Sequence, residues 1–272
     1  HGVAAHAPVS AYASDVTAAM VAAFDRDVAT MSVFARHVGA GLEVVDVGVG
    51  QPTGDIRHES ALTPERFDDI TRLAFDTVDA LDTDLLVLGE LGIGNTTVSA
   101  AIASALMGGE VTSWVGPGSG VEEDGLAAKR DAVQTALRRI AGVIDPLEIL
   151  REVGGAELVG MAAAVVAARH RSIPVVLDGY ISTASALPLQ MTDPSALDHC
   201  IVGHCSSEPG HRLLLDRIGK PPLLDLDMRL GEGSGAMAAV PLVRLACAGV
   251  VEVPTFGEFF GDDATVGDDA TS

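Results

Sequence analysis

One stretch limits the folds open to this chain more than any other: Asp84 to Ala105, DLLVLGELGIGNTTVSAAIASA. Leu85 to Leu88 is wholly apolar and of strand length. Gly89, Gly92 and Gly94 then break regular structure, Asn95, Thr96 and Thr97 are helix-capping types, and Val98 to Leu106 reads as an alanine-rich helix. A strand, a glycine turn and a helix N-terminus together make an anion site, because close backbone, free N–H groups and the helix dipole all face the ligand. Glu90 inside that turn would repel a phosphate, so it is better explained if it acts on a neighbouring part of the ligand. The spacing is neither G-x-G-x-x-G nor a Walker loop. Taken alone, the pattern is equally that of an ordinary strand-to-helix turn.

The rest of the chain repeats the theme. Apolar runs are expected as strands at Glu43–Val49, Val111–Val115, Val175–Leu177, Cys200–Gly203 and Leu223–Leu226. Helices are expected over Val16–Val38, from Pro64 to about Leu81, and over Glu123–Ala141, Pro146 to about Gly154, Ala156–Arg169, Tyr180–Leu187, Glu208–Ile218 and Ala236–Cys247. His1–Ala11 and Gln51–Thr63 read as loops, the latter polar. Second and third glycine turns lie at Gly116–Gly120 and Arg229–Gly235. Alternation of this kind implies an α/β fold: a mainly parallel sheet with helices on both faces. Ligands in such folds sit at the carboxyl ends of strands. Glu90, Gly116–Gly120 and Asp178-Gly179 are therefore expected on one edge.

Composition narrows the partners. With 272 residues, 48% of them hydrophobic, the chain can bury a large core, and at 4% aromatic that core is aliphatic. A net charge of −21 argues against nucleic acid and against an anionic membrane surface. Cys200, Cys205 and Cys247 are few and odd in number, so they read as reduced thiols of a cytoplasmic protein. No segment reads as a signal peptide. Leu158–Ala168 is too short to span a membrane and Ala236–Val251 carries Arg244 mid-run, so both are expected as buried helices. The start at His1, without Met or a helix cap, suggests that residues precede it. The tail from Gly261, GDDATVGDDATS, is acidic and is expected to be disordered. His199, Cys200, His204, Cys205 and His211 lie close together, but on a strand Cys200 and His204 point away from His199 and Cys205. The group is therefore not expected to bind a metal.

Five segments carry a resemblance. GELGIGNTT (89–97), VGGAELVGMAAA (153–164), IPVVLDGYISTASAL (173–187), RLGEGSGA (229–236) and the opening HGVAAHAPVSAYASDVTAAMV resemble the nicotinate-nucleotide:dimethylbenzimidazole phosphoribosyltransferases, in order and over nearly the whole chain. The chain departs from that family in lacking an upstream helical segment with a KPPGSLG-like motif and the Asp before His1. Val98 also stands where Pro is common, and the loop Gly50–Leu62 is short. The resemblance implies a single Rossmann-like α/β domain over residues 1–260, a mainly parallel sheet flanked by helices, with a smaller helical lobe drawn partly from residues 1–40 and the C-terminal helices. It also implies a homodimer, no metal and no organic cofactor.

The implied reaction moves phosphoribose from nicotinate mononucleotide to 5,6-dimethylbenzimidazole, for the lower ligand of cobalamin. Nicotinate leaves without needing a proton, but the attacking benzimidazole must lose its N–H, so one carboxylate base is required. By the resemblance that base is Glu232, with Glu90 as a second acid in the same site. Glu232 also reads as a capping acid for the following helix. The nucleotide is expected on Gly92, Gly94, Asn95, Thr96, Thr97, Gly116, Gly118, Ser119, Gly120 and Ser206. Lys129 is a candidate cation or a solvated lysine; Asp178 and Gly179 are ribose contacts or plain turn residues. Tyr12, Met20 and Leu230 are expected to line the base pocket or, read without the family, to be core. Two rival readings stand beside this one. A dinucleotide-dependent oxidoreductase is disfavoured by the missing fingerprint, and a truncated or non-catalytic nucleotide-binding homologue by the retention of both glutamates.

Overall fold

The computed structural model describes residues 1–118 and 120–261, so Ser119 and the acidic tail beyond Gly261 lie outside the described residues. In chain order the elements are α1 (Gly2–His6), α2 (Val16–Asp25), α3 (Thr30–Val38), α4 (Pro64–Ala80), β1 (Leu86–Val87), α5 (Asn95–Met107), α6 (Val111–Trp114), α7 (Glu123–Arg139), α8 (Pro146–Val153) and α9 (Ala156–His170). There follow β2 (Val175–Leu177), α10 (Tyr180–Thr192), β3 (Cys200–Cys205), α11 (Pro209–Ile218), β4 (Pro222–Asp225), α12 (Ser234–Glu252) and α13 (Phe256–Phe260).

The four strands form one parallel sheet in the order β1-β2-β3-β4, with Leu86 beside Val175, Val175 beside Cys200 and His204 beside Leu224. This is the expected α/β class. The order follows the sequence without the reversal that marks the ligand crevice of doubly wound sheets. The loops leaving the strands do that work instead. Val175, Val176 and Leu177 of β2 are wholly buried. Val175 and Leu177 belong to one core with α5, α9 and α10, and α10 packs on both α5 and α9, where small buried residues such as Ala100, Ala101, Ala162, Ala184 and Ala186 let helices approach closely. Trp114 and Tyr180 are the largest fully buried aromatics, and the Tyr180 hydroxyl donates to the Trp114 carbonyl at 3.1 Å. Two helix starts form as their residues dictate. Thr63 accepts from the Arg66 N–H ahead of Pro64, and Asp145 accepts from Leu147 and Glu148 ahead of Pro146.

Four expectations need correction. Val111–Val115 is not a strand: α6 is a single helical turn that buries Trp114, whose indole N–H donates to the Gly108 carbonyl at 2.9 Å. Glu43–Val49 is irregular and pairs with no strand among the described residues; Asp46 accepts from the Gly48 and Val49 N–H groups at 2.7 Å in a local turn, and Val44 and Val45 face solvent. The run Val16–Val38 is two helices, α2 and α3, parted at Arg26–Ala29, where Asp27 takes a left-handed φ of 57° and its carboxylate receives Arg36 at 2.6 Å. His1–Ala11 contains α1, and the polar loop before Thr63 is partly core, with Ile56 and Leu62 buried. Arg139 fastens that loop by donating to the Ile56 carbonyl and pairing with Glu152.

The chain divides into two compact units, His1–Ala239 and the stretch from Val240. In the second, Leu245, Val250 and Val251 are exposed, and Phe256, Phe259 and Phe260 of α13 are exposed but stack on one another. The division falls inside α12. That helix has 19 residues and a mean hydropathy of 1.7 over its most apolar window, a third of it buried. It is therefore longer than expected from the sequence and, by length and composition alone, sufficient to cross a membrane.

Candidate active site

Each strand delivers one acidic loop at its carboxyl end: Glu90 after β1, Asp178 after β2, Glu208 after β3 and Glu232 after β4. Two of these loops interlock through glycines. A Cβ on Gly89 would stand 2.7 Å from the Gly233 nitrogen and closer still to the Glu232 carbonyl; a Cβ on Gly231 would stand 2.7 Å from Glu90 Oε1. Each loop thus offers the other a glycine where its glutamate arrives, and no larger residue permits that approach.

The half of the site built from these two loops is acidic. Asn95, the first residue of α5, donates through its side-chain amide to Glu90. Burial, and then the charges of Asp178, Glu157 and Glu232, push the Glu90 carboxyl well above the usual range. Asp178 is 2% exposed, and its carboxylate accepts from the backbone N–H groups of Ala236, at 2.7 Å, Gly235 and Gly233. It therefore caps α12 and fixes the loop that carries Glu232. Burial nonetheless holds it up to about 6.

Glu232 takes a left-handed φ of 64°, a strained angle for a residue with a side chain. It is 7% exposed, and burial raises its carboxyl, opposed by the N–H of Met31 at the start of α3. Its Oε2 has no hydrogen-bond partner among the described residues. Glu232 is thus not the cap of the helix that follows it; α3 caps Glu232. Sequence reading missed Met31 because it ran α2 and α3 together. It also missed Glu157, whose Oε1 lies 2.6 Å from His1 Nε2 and 2.5 Å from the Cβ position of Gly92. Gly94, beside Ala4 and His1, takes a φ of 97° and starts α5.

The other half is basic. Lys129 is not the solvated lysine of a charged helix: it is 0% exposed, and its ammonium donates to the Gly116 carbonyl at 2.6 Å and to Thr96 Oγ1 at 2.9 Å. Burial lowers it to about 8, with the charge of Glu208 opposing. Gly118, at a φ of 55°, donates its N–H to Glu208 Oε1 at 2.7 Å. The Gly116–Gly118 turn follows a helix and not a strand, yet it reaches the site because Lys129 and Glu208 hold it from two sides. Glu208 is a further residue that sequence reading missed. Gly120 is exposed, and Ser119 lies outside the described residues.

Ser206 donates its N–H to His211 Nδ1 at 2.9 Å, and Thr183 Oγ1 lies 3.1 Å from Nε2 of the same ring. His204 Nε2 lies 3.5 Å from Asp178 Oδ1 and against Gly179, and the His199 ring contacts the Val165 carbonyl. No two of the three histidines share one of these partners. Burial, with His204 and Arg212 nearby, lowers His211 to about 3 from 6.5. A folded value below the unfolded one means that the unfolded chain alone takes up the proton between these limits. Stability is therefore fully present above pH 6.5 and is lost as pH falls toward 3, at up to about 1.4 kcal/mol per pH unit. Urea midpoints measured against pH are expected to lose this component of the acid slope in His211→Gln.

The residues expected at the base pocket are not core. Tyr12 and Leu230 are 55% and 53% exposed, and Met20 is partly exposed on α2. One turn before Met20, Thr17 Oγ1 accepts from the Ile93 N–H at 3.3 Å, which brings α2 to the 89–94 loop. Thr97, also expected on the nucleotide, is buried; its N–H is given to the Gly94 carbonyl.

A family model described as phosphoribosyltransferase matches residues 1–259. A nicotinate-nucleotide–dimethylbenzimidazole phosphoribosyltransferase of Methylorubrum extorquens is 45% identical over 260 residues, 95% of this chain and 75% of its own. That of Methylocella silvestris is 48% identical over 261 residues, again 95% and 75%. The crystal structure of CobT from Thermus thermophilus superposes with a TM-score of 0.90 at 40% identity, over 96% of this chain and 83% of that one. The matched region contains all four strand-end loops and both interlocking glycines. The chain belongs to the nicotinate-nucleotide–dimethylbenzimidazole phosphoribosyltransferase family.

Proposed function

We propose that this chain transfers the phosphoribosyl group of nicotinate mononucleotide to 5,6-dimethylbenzimidazole, giving α-ribazole 5′-phosphate and nicotinate, with Glu232 as the base. The observation that carries this reading is the state of Glu232: its carboxylate is anchored by the Met31 N–H, while Oε2 is buried with no partner among the described residues, and burial raises the group. Such an oxygen is ready to take a proton from a bound N–H.

The lone-pair nitrogen of the benzimidazole attacks C1′ of the ribose as the bond to the pyridinium nitrogen breaks. That electron pair returns to the leaving ring, which departs as nicotinate. The other benzimidazole nitrogen gives its proton to Glu232. Attack from the face opposite the leaving group inverts the anomeric carbon. Glu90 is the second acid of the pair. Burial, and then the charges of Asp178, Glu157 and Glu232, raise its carboxyl well above the usual range, which disfavours a second charge beside Glu232. Beside Gly231, it either supports Glu232 or faces the ribose.

The polarity of the site supports one orientation. The phosphate goes to the end with Lys129, Thr96, the Gly116–Gly118 turn and Ser206, and the two bases go to the end with Glu90 and Glu232. Lys129 has three N–H bonds and spends two on protein, which leaves one for the phosphate. Tyr12, Met20 and Leu230 present apolar surface at the open side, where a flat base loses water on binding. Glu157 carries the acidic half on beneath Gly92.

Nicotinate mononucleotide mixed with this chain is expected to release nicotinate only when 5,6-dimethylbenzimidazole is present, followed by chromatography of both products. Binding of the nucleotide without release would identify a non-catalytic homologue. Absence of both binding and release would overturn the reading.

A further inference from the structure

Glu208 is 5% exposed and has no part in the chemistry above, yet it places a carboxylate beside the end assigned to a phosphate. A neutral side chain would bind the Gly118 N–H without repelling the ligand, so the charge itself needs a reason. Its two oxygens give one. Oε1 accepts from Gly118 at 2.7 Å, while Oε2 is buried without a partner among the described residues and lies against Gly116, where a Cβ would clash with it. On the opposite side of the same turn stands Lys129, whose ammonium takes only neutral acceptors, the Gly116 carbonyl and Thr96 Oγ1. A Cβ on Gly118 would lie 2.8 Å from Thr96 Oγ1 and 3.1 Å from Lys129 Nζ. The turn is thus pressed between a buried anion and a buried cation that do not touch.

We propose that Glu208 is the positioning residue of the phosphate cradle: through the Gly116–Gly118 turn it sets where the Lys129 ammonium stands, and it supplies the negative charge that this ammonium faces. The inference rests on the reading of Lys129 as the phosphate cation. An isolated buried ammonium is costly and sheds its proton. Burial has already brought Lys129 down to about 8, and Glu208 is the charge that opposes it. The other titratable groups around Glu208 are neutral: burial raises Tyr180 on α10 well above 10, and burial lowers His211 on α11 to about 3. An arriving phosphate then meets a cation already charged and already aimed, at the cost of one carboxylate held a turn away.

The test is the pH dependence of KM for nicotinate mononucleotide in the wild type, Lys129→Met, Glu208→Gln and Glu208→Asp, with melting temperature measured alongside. The wild type is expected to lose affinity above about pH 8, and Lys129→Met to have no such limb. Glu208→Gln keeps an acceptor for the Gly118 N–H but loses the charge. Its limb moves about one pH unit lower, so KM rises about fivefold at pH 8 and hardly at pH 6. Glu208→Asp, with its charge drawn back by one methylene, gives an intermediate shift and serves if the Gln variant fails to fold. A limb unmoved in a folded Gln or Asp variant, whatever the melting temperature, overturns the role of Glu208. A limb that persists in Lys129→Met overturns the phosphate assignment itself, a different failure.

Discussion

Replacing Glu232 by Gln lowers turnover about a hundredfold or more while leaving the nucleotide's KM and the melting temperature near those of the wild type. The amide keeps an oxygen for the Met31 N–H, so the loop retains its anchor, and Asp178 still holds the backbone at Gly233, Gly235 and Ala236. What is lost is the one oxygen able to take the benzimidazole proton. Because burial raises Glu232, the acid limb of kcat in the wild type is expected above the ordinary carboxylate range. The rate falls as pH drops through that value, since only the ionised form accepts a proton. The Gln variant loses this limb along with the rate. Near-normal turnover in Glu232→Gln would remove Glu232 from the role of base.

Gly89→Ala is the second large effect, and it comes from backbone alone. The added methyl would sit 2.5 Å from the Glu232 carbonyl carbon and 2.7 Å from the Gly233 nitrogen. Neither atom belongs to a side chain that can swing away. To reach ordinary contact the Glu232 loop must retreat by about an ångström, and displacement on that scale typically costs about a hundredfold in rate. Asp178 resists the retreat, so the variant is also expected to melt earlier. Gly41→Ala is the control, since a Cβ there meets nothing within 4 Å and its backbone is not left-handed. Steady-state kinetics and thermal melts on both variants check the expectation; a Gly89→Ala enzyme as active as Gly41→Ala would mean that the two loops do not constrain each other.

The strands and helices that carry the acids were legible because their signals are local. Val175–Leu177 ends at Asp178-Gly179, and Thr63-Pro64 and Asp145-Pro146 announce helix starts. Val111–Val115 misled because strand and single-turn helix look alike over so few apolar residues, and only the packing of Trp114 decides between them. The glycine turn singled out Glu90 and Thr96, the resemblance added Glu232, and Lys129 stood as a candidate cation, but none of this could say what holds them. Met31, Glu157 and Glu208 lie 201, 67 and 79 residues, by subtraction of their numbers, from Glu232, Glu90 and Lys129 in turn. No pattern within a window of sequence ties such positions together. Asp178 was legible as a site residue, but its task was not. A strand-end carboxylate free to meet ribose and one spent on three backbone amides have the same sequence.

The start of α5 sets neighbours to opposite duties. Asn95 bonds Glu90 at the acidic end, and Thr96 bonds Lys129 at the basic end. They share one rigid helix whose residues Thr97 to Ser104 are buried. A shift of that helix along its axis therefore moves the proton-handling end and the anion-holding end together. Substitutions deep in α5 that slide it should change grip on the donor and the acid limb of turnover in concert, as two readings of a single displacement. Tyr12 and Leu230 are exposed and lie outside α5, so substitutions there are expected to leave both readings where they are.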